Sequence, residues 1–263
     1  MKVERFRIRP VDALIGRPRV PDRLLRYDFE SLEAEFGRLE FQAGVLRNRK
    51  CWDCGAEAGN RELNERLCQS GGKDRGWVPA YMLTPDGVAP DFSPQQQLQC
   101  LLKQGPFLAW LDPVAEGYSL REWCSGALLR ALEAARIPVL LSYTGLDLDT
   151  LNEVLSIHPF LRVVLLDVPR DGRNRKVYPL LERHSGLWMC LSQAYSVAEG
   201  VEDLVRNFGP SRWVFGSGFP EAEGGAALLS LMAADIDDAT RRAIAAENLE
   251  SLLHEIRIEF FGG

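Results

Sequence analysis

Polar side chains that could take part in catalysis follow several short apolar runs of the chain. Asp12, Ser142 and Asp167 each come directly after such a run, and Ser192 and Ser217 follow two later ones. Two carboxyl groups in one pocket can divide acid and base roles, because burial or a like charge raises the pKa of one while the other stays ionised. We therefore predict Asp12 and Asp167 as a catalytic pair, with Ser142 as a third catalytic residue.

Basic side chains follow the apolar run that ends before Asp167. Arg170 and Arg173 belong to the same loop, and a guanidinium binds a carboxylate or phosphate through two parallel hydrogen bonds. We predict that Arg170, Arg173, Ser192 and Ser217 bind a small-molecule substrate. The alternative for the aspartates is structural, since they could cap helices or pair with these arginines.

One Cys-X-X-Cys motif is present, at Cys51-Trp52-Asp53-Cys54. Such a pair can hold a soft metal or act as a redox couple. The chain has no second motif of this kind, and the pattern places this one in a loop rather than at a helix start, so two unrelated thiols are the preferred interpretation. Thiol or soft-metal chemistry at Cys51 and Cys54 is kept as a separate hypothesis.

Short apolar runs alternate with longer amphipathic segments along the whole chain. The predicted strands are Arg5–Val11, Phe41–Leu46, Trp77–Leu83, Phe107–Leu111, Ile137–Leu141, Leu161–Leu166, Leu187–Leu191 and Arg212–Phe215. Parallel neighbours need helical crossovers, and roughly 250 residues suffice for one barrel of eight such units. The sequence predicts an α/β fold, a single (β/α)8 TIM barrel over residues 1–263, with its site at the carboxyl ends of the strands.

The first predicted strand and the last predicted helix lie at the two ends of the chain. Arginines at 5, 7 and 9 alternate with Phe6 and Ile8, which suits a half-exposed strand, so an extension along the bottom of the barrel and a shorter first strand are the alternative there. The last predicted helix runs over Asp238–Ile256.

Composition limits the classes of partner. The chain has 263 residues and a formal net charge of −6, which argues against nucleic acid and anionic membranes because both need a basic surface. No run approaches the roughly 18 apolar residues of a membrane span, and no signal-peptide core follows Met1. The six cysteines are scattered, as is usual for reduced thiols. We expect a cytoplasmic protein with a small-molecule ligand; the sequence also permits a homo-oligomer.

The C-terminal third resembles one known family. Residues 213–220 read WVFGSGFP, and after a helix residues 247–253 read ENLESLL. This is similar to the end of the amidohydrolase-related, aminocarboxymuconate-semialdehyde-decarboxylase-like barrels, which read Phe-Gly-Ser-Asp-Phe-Pro before a closing Asn-X-X-X-Leu-Leu helix. The resemblance implies a TIM barrel of a branch that contains metal-dependent decarboxylases, hydratases and lactonases acting on carboxylated small molecules.

The metal ligands of that family are missing here. The family uses His-X-His after strand one, histidines after strands five and six, and an aspartate after strand eight. The matching positions hold Asp12, Leu14, Ser142, Asp167 and Gly218. Since every imidazole is gone, the resemblance implies a divergent member, and we predict neither a metal nor another cofactor.

The three histidines of the chain are predicted to lie away from the barrel mouth. His158 and His184 fall in helix-to-strand connections, which belong to the bottom face, and His254 falls in the last helix. We expect them to be exposed or locally hydrogen-bonded.

Two further functional hypotheses remain open. The first is a metal-independent hydrolase or lyase acting on a small carboxylated or ring-containing substrate. The second is a catalytically inactive barrel that serves as a binding or assembly subunit, in which an apolar plug near Leu14 and Gly218 would fill the top face.

Overall fold

The computed structural model describes residues 6–17, 25–85, 93–169, 175–195 and 198–258. Eight parallel strands lie within these ranges: β1 (Ala13–Ile15), β2 (Val45–Asn48), β3 (Val78–Met82), β4 (Leu108–Leu111), β5 (Val139–Ser142), β6 (Val163–Leu166), β7 (Leu187–Leu191) and β8 (Trp213–Phe215). They pair in chain order from β1 to β8, and every pair is parallel.

The sheet curls until its last strand meets its first. The Val11 amide donates to the Phe215 carbonyl over 2.9 Å, and the Leu14 amide donates to the Phe219 carbonyl over 3.1 Å. These bonds join the start of the barrel to its end, so the predicted α/β fold, a single (β/α)8 TIM barrel, is confirmed.

Helices connect the strands. Within the described ranges they are α1 (Phe29–Arg38), α2 (Lys50–Cys54), α3 (Ala56–Gln69), α4 (Pro94–Leu102), α5 (Glu122–Ala135), α6 (Leu148–Ile157), α7 (Val177–Arg183), α8 (Gly200–Phe208), α9 (Gly224–Ala233), α10 (Asp238–Arg242) and α11 (Asn248–His254). No helix in this part of the chain is both long and apolar enough to cross a bilayer.

Alternate strand residues build two separate apolar layers. Val164 and Leu166 point into the barrel, where Trp110 and Leu140 also pack, whereas Leu165 points outward under the helices. This follows from the two-residue period of a strand. It also explains why β6 is continuously apolar, since both of its faces are buried.

The prediction of a first strand over Arg5–Val11 was wrong. The strand is Ala13–Ile15, and the segment before it lies along the bottom of the barrel, as the alternative proposed. There the Arg9 guanidinium donates to the carbonyls of Ala43 and Gly76, each over 2.9 Å. Arg9 thus reaches carbonyl groups that precede the next strands, and the Arg7 guanidinium donates to the Glu250 carboxylate over 3.0 Å and 3.2 Å.

The bottom of the barrel is closed by the C-terminal helices. The single helix predicted over Asp238–Ile256 is instead α10, one π-helical turn at Ala243–Glu247, and α11. Leu249 and Leu252 of α11 pack into the barrel interior. The side-chain amide of Asn248 donates through Nδ2 to the carbonyls of Pro210 and Trp213, each over 2.8 Å. Because α11 fills this end, access to the interior is left to the opposite end.

Candidate active site

A cavity of about 360 Å³ lies at the carboxyl ends of the strands. Its walls come from the ends of β1, β2, β4, β5, β6 and β7 and from the loop after β8. This volume falls in the range of small-ligand sites, and the position is where active sites form in this fold.

Asp12 is the most deeply held carboxyl group of the cavity. One carboxylate oxygen accepts hydrogen bonds from the Ser217 amide at 2.7 Å and the Ser217 hydroxyl at 3.1 Å. The other accepts from the Gly218 amide at 2.9 Å, with the Cys190 thiol 3.9 Å away. Asp12 directly precedes β1, and its carboxyl group binds the loop after β8. It therefore links the two ends of the sheet at the place where β1 and β8 meet, which we call the seam of the barrel.

The environment of Asp12 changes its protonation. The side chain is 3% exposed, and this burial raises its pKa above the ordinary value, with the negative charge of Asp167 acting in the same direction. The Gly218 amide and the Arg47 guanidinium oppose the shift. A carboxyl group whose pKa is raised holds its proton to higher pH and can act as an acid.

The absence of a side chain at Gly216 leaves the space that the Asp12 carboxyl group occupies. A Cβ on Gly216 would lie 2.5 Å from Oδ2 of Asp12 and would also overlap the Cys190 sulfur. Two residues on, Gly218 has φ +68°, a left-handed conformation that glycine adopts without strain. The two glycines therefore let the β8 loop wrap closely around Asp12.

Asp167 and Ser142 lie together on the exposed side of the cavity. Asp167 follows β6 with φ +57°, and its side chain is exposed. The Ser142 hydroxyl donates to Asp167 Oδ2 over 3.4 Å, a long hydrogen bond. The structure therefore brings the three predicted catalytic residues to one cavity, with Asp12 buried and Asp167 open to solvent.

Arg47, at the end of β2, is the site residue that the sequence analysis missed. It is 7% exposed, and its Nη2 donates to the Asp12 carbonyl oxygen over 2.8 Å. Its guanidinium carbon lies 5.2 Å from the Trp110 ring centroid. Its Nε is buried and has no hydrogen-bond partner. A buried, incompletely paired cation at a cavity wall is suited to an anionic ligand.

Two tryptophans form an apolar wall of the cavity. Trp52 and Trp110 meet edge to face with centroids 4.9 Å apart, and Trp52 Nε1 donates to Asp112 Oδ2 over 2.8 Å. The wall presents an edge-to-face aromatic pair suited to a flat apolar group.

The predicted substrate-binding residues have different positions. Ser192 lines the cavity, and its hydroxyl accepts a hydrogen bond from the Ala194 amide over 3.3 Å. Ser217 is 1% exposed and lies behind Asp12, where its hydroxyl holds the carboxylate. Arg170 and Arg173 lie outside the described residues.

The described residues of the mouth do not fit a divalent metal. Within the described ranges no group of three or more His, Cys, Asp or Glu side chains could hold one. Leu14 and Gly218 offer no side-chain donor, and the oxygens of Asp12 are already engaged by Ser217 and Gly218. No mechanistic step can therefore be assigned to a metal held by this donor set.

The histidines lie away from the cavity and are locally bonded, as predicted. His158 is buried, with its ring nitrogens 3.1 Å and 3.2 Å from carboxylate oxygens of Glu133 and Glu122. The Nε2 of His184 lies 2.9 Å from Asn152 Oδ1. His254 is bonded to the carbonyl of the preceding helical turn.

The Cys-X-X-Cys motif was assigned to the wrong element. It lies on helix α2, not in a loop. Cys51 is 1% exposed, and burial raises the pKa of its thiol to about 12, whereas Cys54 is exposed. A thiol with so high a pKa forms little thiolate at neutral pH, so the geometry does not favour thiol or soft-metal chemistry here.

Comparison with known proteins identifies the fold. No protein-family model and no curated protein matches the sequence. A 5-carboxyvanillate decarboxylase from Sphingomonas paucimobilis is similar in structure, with a TM-score of 0.70 and 11% identity, over 95% of this chain and 99% of that one. A probable 2-pyrone-4,6-dicarboxylic acid hydrolase from Acinetobacter baumannii with citric acid bound gives 0.69 and 14%, over 94% and 99%.

A third similar structure contains a metal. It is a dihydroxybenzoic acid decarboxylase from a Polaromonas species with bound manganese and the inhibitor 2-nitroresorcinol, with a TM-score of 0.68 and 12% identity, over 95% of this chain and 97% of that one. The chain therefore shares the TIM-barrel fold of these decarboxylases and hydrolases, in agreement with the resemblance of its C-terminal third.

Proposed function

We propose that the cavity is the active site of a metal-independent hydrolase or lyase whose substrate is a small carboxylated, ring-containing molecule. One observation carries the proposal: the buried guanidinium of Arg47 stands beside the buried carboxyl residue Asp12 in a cavity walled by tryptophans. A cation, an acid and an aromatic surface are thus available to one ligand.

In this proposal a substrate carboxylate binds to Arg47, because the Nε donor of Arg47 has no hydrogen-bond partner. A buried donor without a partner costs about 1–3 kcal/mol, and a carboxylate that enters the cavity removes this cost while gaining a charge-assisted hydrogen bond. The adjoining wall of Trp52 and Trp110 offers the ring of the substrate an apolar surface. In this proposal Arg47 has the anion-binding role that the sequence analysis gave to the loop arginines.

The two aspartates divide the proton transfers. In a hydrolysis, Asp167 accepts a proton from water, the water oxygen bonds to the substrate carbonyl carbon, and the bond to the leaving oxygen or nitrogen breaks. Asp12, whose pKa is raised by burial, donates its proton to the leaving atom. Ser142 orients Asp167 through their hydrogen bond.

The names of the similar structures guide the choice of compounds. A 5-carboxyvanillate decarboxylase and a 2-pyrone-4,6-dicarboxylic acid hydrolase are named for carboxylated rings. At 11% and 14% identity they support the fold, and they recommend such rings as the first probes for this cavity.

The inactive-barrel alternative required a closed top face. Leu14 and Gly218 instead line an open cavity together with polar side chains, so the proposed apolar plug is not formed by these residues. A cavity with a partly unpaired cation favours ligand chemistry over a purely structural barrel.

Turnover of a defined panel tests the proposal. The panel contains lactones, amides and β-keto acids that carry a ring carboxylate, assayed with the wild type, Asp12→Asn and Asp167→Asn. We expect wild-type turnover, and a loss of about 10²- to 10⁴-fold in kcat for each variant.

A matched control is Glu57→Gln, since the Glu57 side chain is 95% exposed and lies outside the cavity. This variant should keep wild-type kcat. Absence of turnover across the panel, or equal activity of both aspartate variants and the wild type, would contradict the proposal. Circular dichroism of each variant checks that it is folded.

A further inference from the structure

We propose that Arg47 supplies the positive charge that a divalent cation supplies in metal-bound barrels of this fold, so that carboxylate binding in this protein needs no metal. The inference rests on the proposed function, because it concerns the same cavity. It deepens that function by naming the group that replaces the ion.

The position of Arg47 in the sheet supports the replacement of a divalent cation by its guanidinium. In the register of β1 and β2, Arg47 is paired with Leu14, and its Nη2 is bonded to the carbonyl of Asp12. Asp12 and Leu14 are the positions that match the His-X-His of the resembling family. The guanidinium is therefore fixed against both places where that family has imidazole ligands.

The charges of the cavity make this cation necessary for an anionic ligand. Among the described residues that line the cavity, Arg47 is the only basic side chain, whereas Asp112, Asp167 and Glu221 are acidic, in addition to Asp12. With Arg47 removed, the charged side chains of the described lining would all be carboxyl groups. An anion would then need a cation from solution to bind.

The charge of Arg47 is permanent and fixed in place. A guanidinium stays protonated throughout the physiological pH range. The group stacks on Trp110 at 5.2 Å, an interaction that favours a desolvated cation. One hydrogen bond orients it, while its Nε remains without a partner. It is thus a preorganised cation that still has hydrogen-bonding capacity.

A metal ion would compete poorly for the same place. The Asp12 oxygens face the Ser217 and Gly218 amides, and a divalent cation beside the Arg47 guanidinium would meet a like charge. The Arg47 guanidinium beside Asp12 and Leu14 is therefore consistent with the absence of imidazole ligands at those two positions.

Calorimetric titration of the full-length protein with 2,6-dihydroxybenzoate tests the inference. Resorcinol is the matched probe, since it lacks only the carboxylate. Each titration is run with EDTA and, separately, with MnCl₂. We expect 2,6-dihydroxybenzoate to bind equally in both buffers, and resorcinol to bind about 10- to 100-fold more weakly, the range of a hydrogen bond to a charged group.

Variants then identify the cation. Arg47→Met should weaken 2,6-dihydroxybenzoate by about 10- to 100-fold and leave resorcinol unchanged. Arg47→Lys keeps the charge and should retain part of the affinity. Arg61→Met is the control, because Arg61 pairs with Glu57 on an exposed face of α3, and it should bind as the wild type does.

The outcomes separate the two proposals. Equal carboxylate binding by Arg47→Met and the wild type overturns the inference and leaves turnover by the two aspartates standing. Carboxylate binding that requires MnCl₂ overturns the inference and also the metal independence of the proposed function. Failure of the wild type to bind any carboxylate of the hydrolase panel, in either buffer, overturns the proposed function and the inference with it. The comparison of EDTA with MnCl₂ uses the wild type, so it remains decisive even if Arg47→Met does not fold.

Discussion

Replacing Asp12 with asparagine tests whether this side chain fastens the seam of the barrel. The carboxylate accepts from two backbone amides, those of Ser217 and Gly218, and from the Ser217 hydroxyl. An asparagine of the same shape has one acceptor oxygen, and its NH₂ group must face a backbone N–H. One buried donor therefore loses its partner, whichever way the amide is turned.

The size of the effect follows from that lost bond. An unpaired buried donor costs about 1–3 kcal/mol, and relief from burying a carboxylate offsets part of the loss of charge-assisted bonding. We expect Asp12→Asn to lower the free energy of unfolding by about 2 kcal/mol, which lowers Tm by about 4–8 °C in a chain of this size.

The matched variant is Asp167→Asn. Asp167 is exposed, its left-handed conformation suits asparagine as well, and surface substitutions of this kind change stability by at most about 0.5 kcal/mol. Chemical denaturation of the wild type and both variants gives the comparison. If Asp12→Asn is as stable as Asp167→Asn, the carboxylate of Asp12 does not fasten the seam.

The difference in stability between the wild type and Asp12→Asn is also expected to depend on pH. Because the pKa of Asp12 is raised on folding above its ordinary value of 3.8, the folded state binds the proton more tightly than the unfolded state. The stability advantage of the wild type over Asp12→Asn should therefore be largest below about pH 3.8 and shrink as pH rises through the folded pKa. A difference that grows with rising pH would show that the pKa is lowered instead.

Three further experiments, two substitutions and one labelling reaction, test other contacts of the barrel. Gly216→Ala places a methyl group 2.5 Å from Asp12 Oδ2, and we expect a loss of about 1–3 kcal/mol of unfolding free energy; an unchanged Tm would contradict the close approach. Asn248→Ala removes one buried and one part-buried hydrogen bond to carbonyl groups and should cost about 2–3 kcal/mol, measured by urea denaturation; a change below about 0.5 kcal/mol would mean that other contacts hold α11 in place. At pH 8 a disulfide reagent should modify Cys54 in the folded protein but not Cys51, whose thiol pKa is raised to about 12. Equal labelling rates, read by peptide mass spectrometry, would refute this.

Most of the barrel could be predicted from apolar periodicity. The strand Leu187–Leu191 and the helix Leu148–Ile157 have the predicted bounds, because strongly periodic apolar segments are buried in only one way in this fold. The first strand was misplaced because Phe6 and Ile8 alternate with arginines as strand residues do. Arg9 instead donates to the carbonyls of Ala43 and Gly76, and Arg7 donates to the Glu250 carboxylate; only tertiary contacts bring these partners close.

Arg47 shows why the site was harder to predict than the fold. The apolar run over Phe41–Leu46 ends at a charged residue, which predicts that Arg47 lies beyond the strand, whereas the strand continues to Asn48. The signal that could have found it is the strand period, since Arg47 follows Val45 by two residues and both point inward. Its partners, Trp110 and the Asp12 carbonyl, lie far apart in sequence and give no local pattern.

The deep burial of Asp12 was also invisible in the sequence. It depends on Gly216 and on two amides of the β8 loop, more than 200 residues away along the chain. Polar residues at strand exits could be predicted to meet, but which carboxyl is buried and which is exposed is decided by loop conformation.

The most direct test is a crystal structure of the protein soaked with manganese and 2,6-dihydroxybenzoate together. We expect the carboxylate to lie against the Arg47 guanidinium and the ring beside Trp52 and Trp110, with no ion in the barrel mouth. A manganese ion coordinated by Asp12 or Asp167, with the carboxylate bound to that ion, would contradict this expectation.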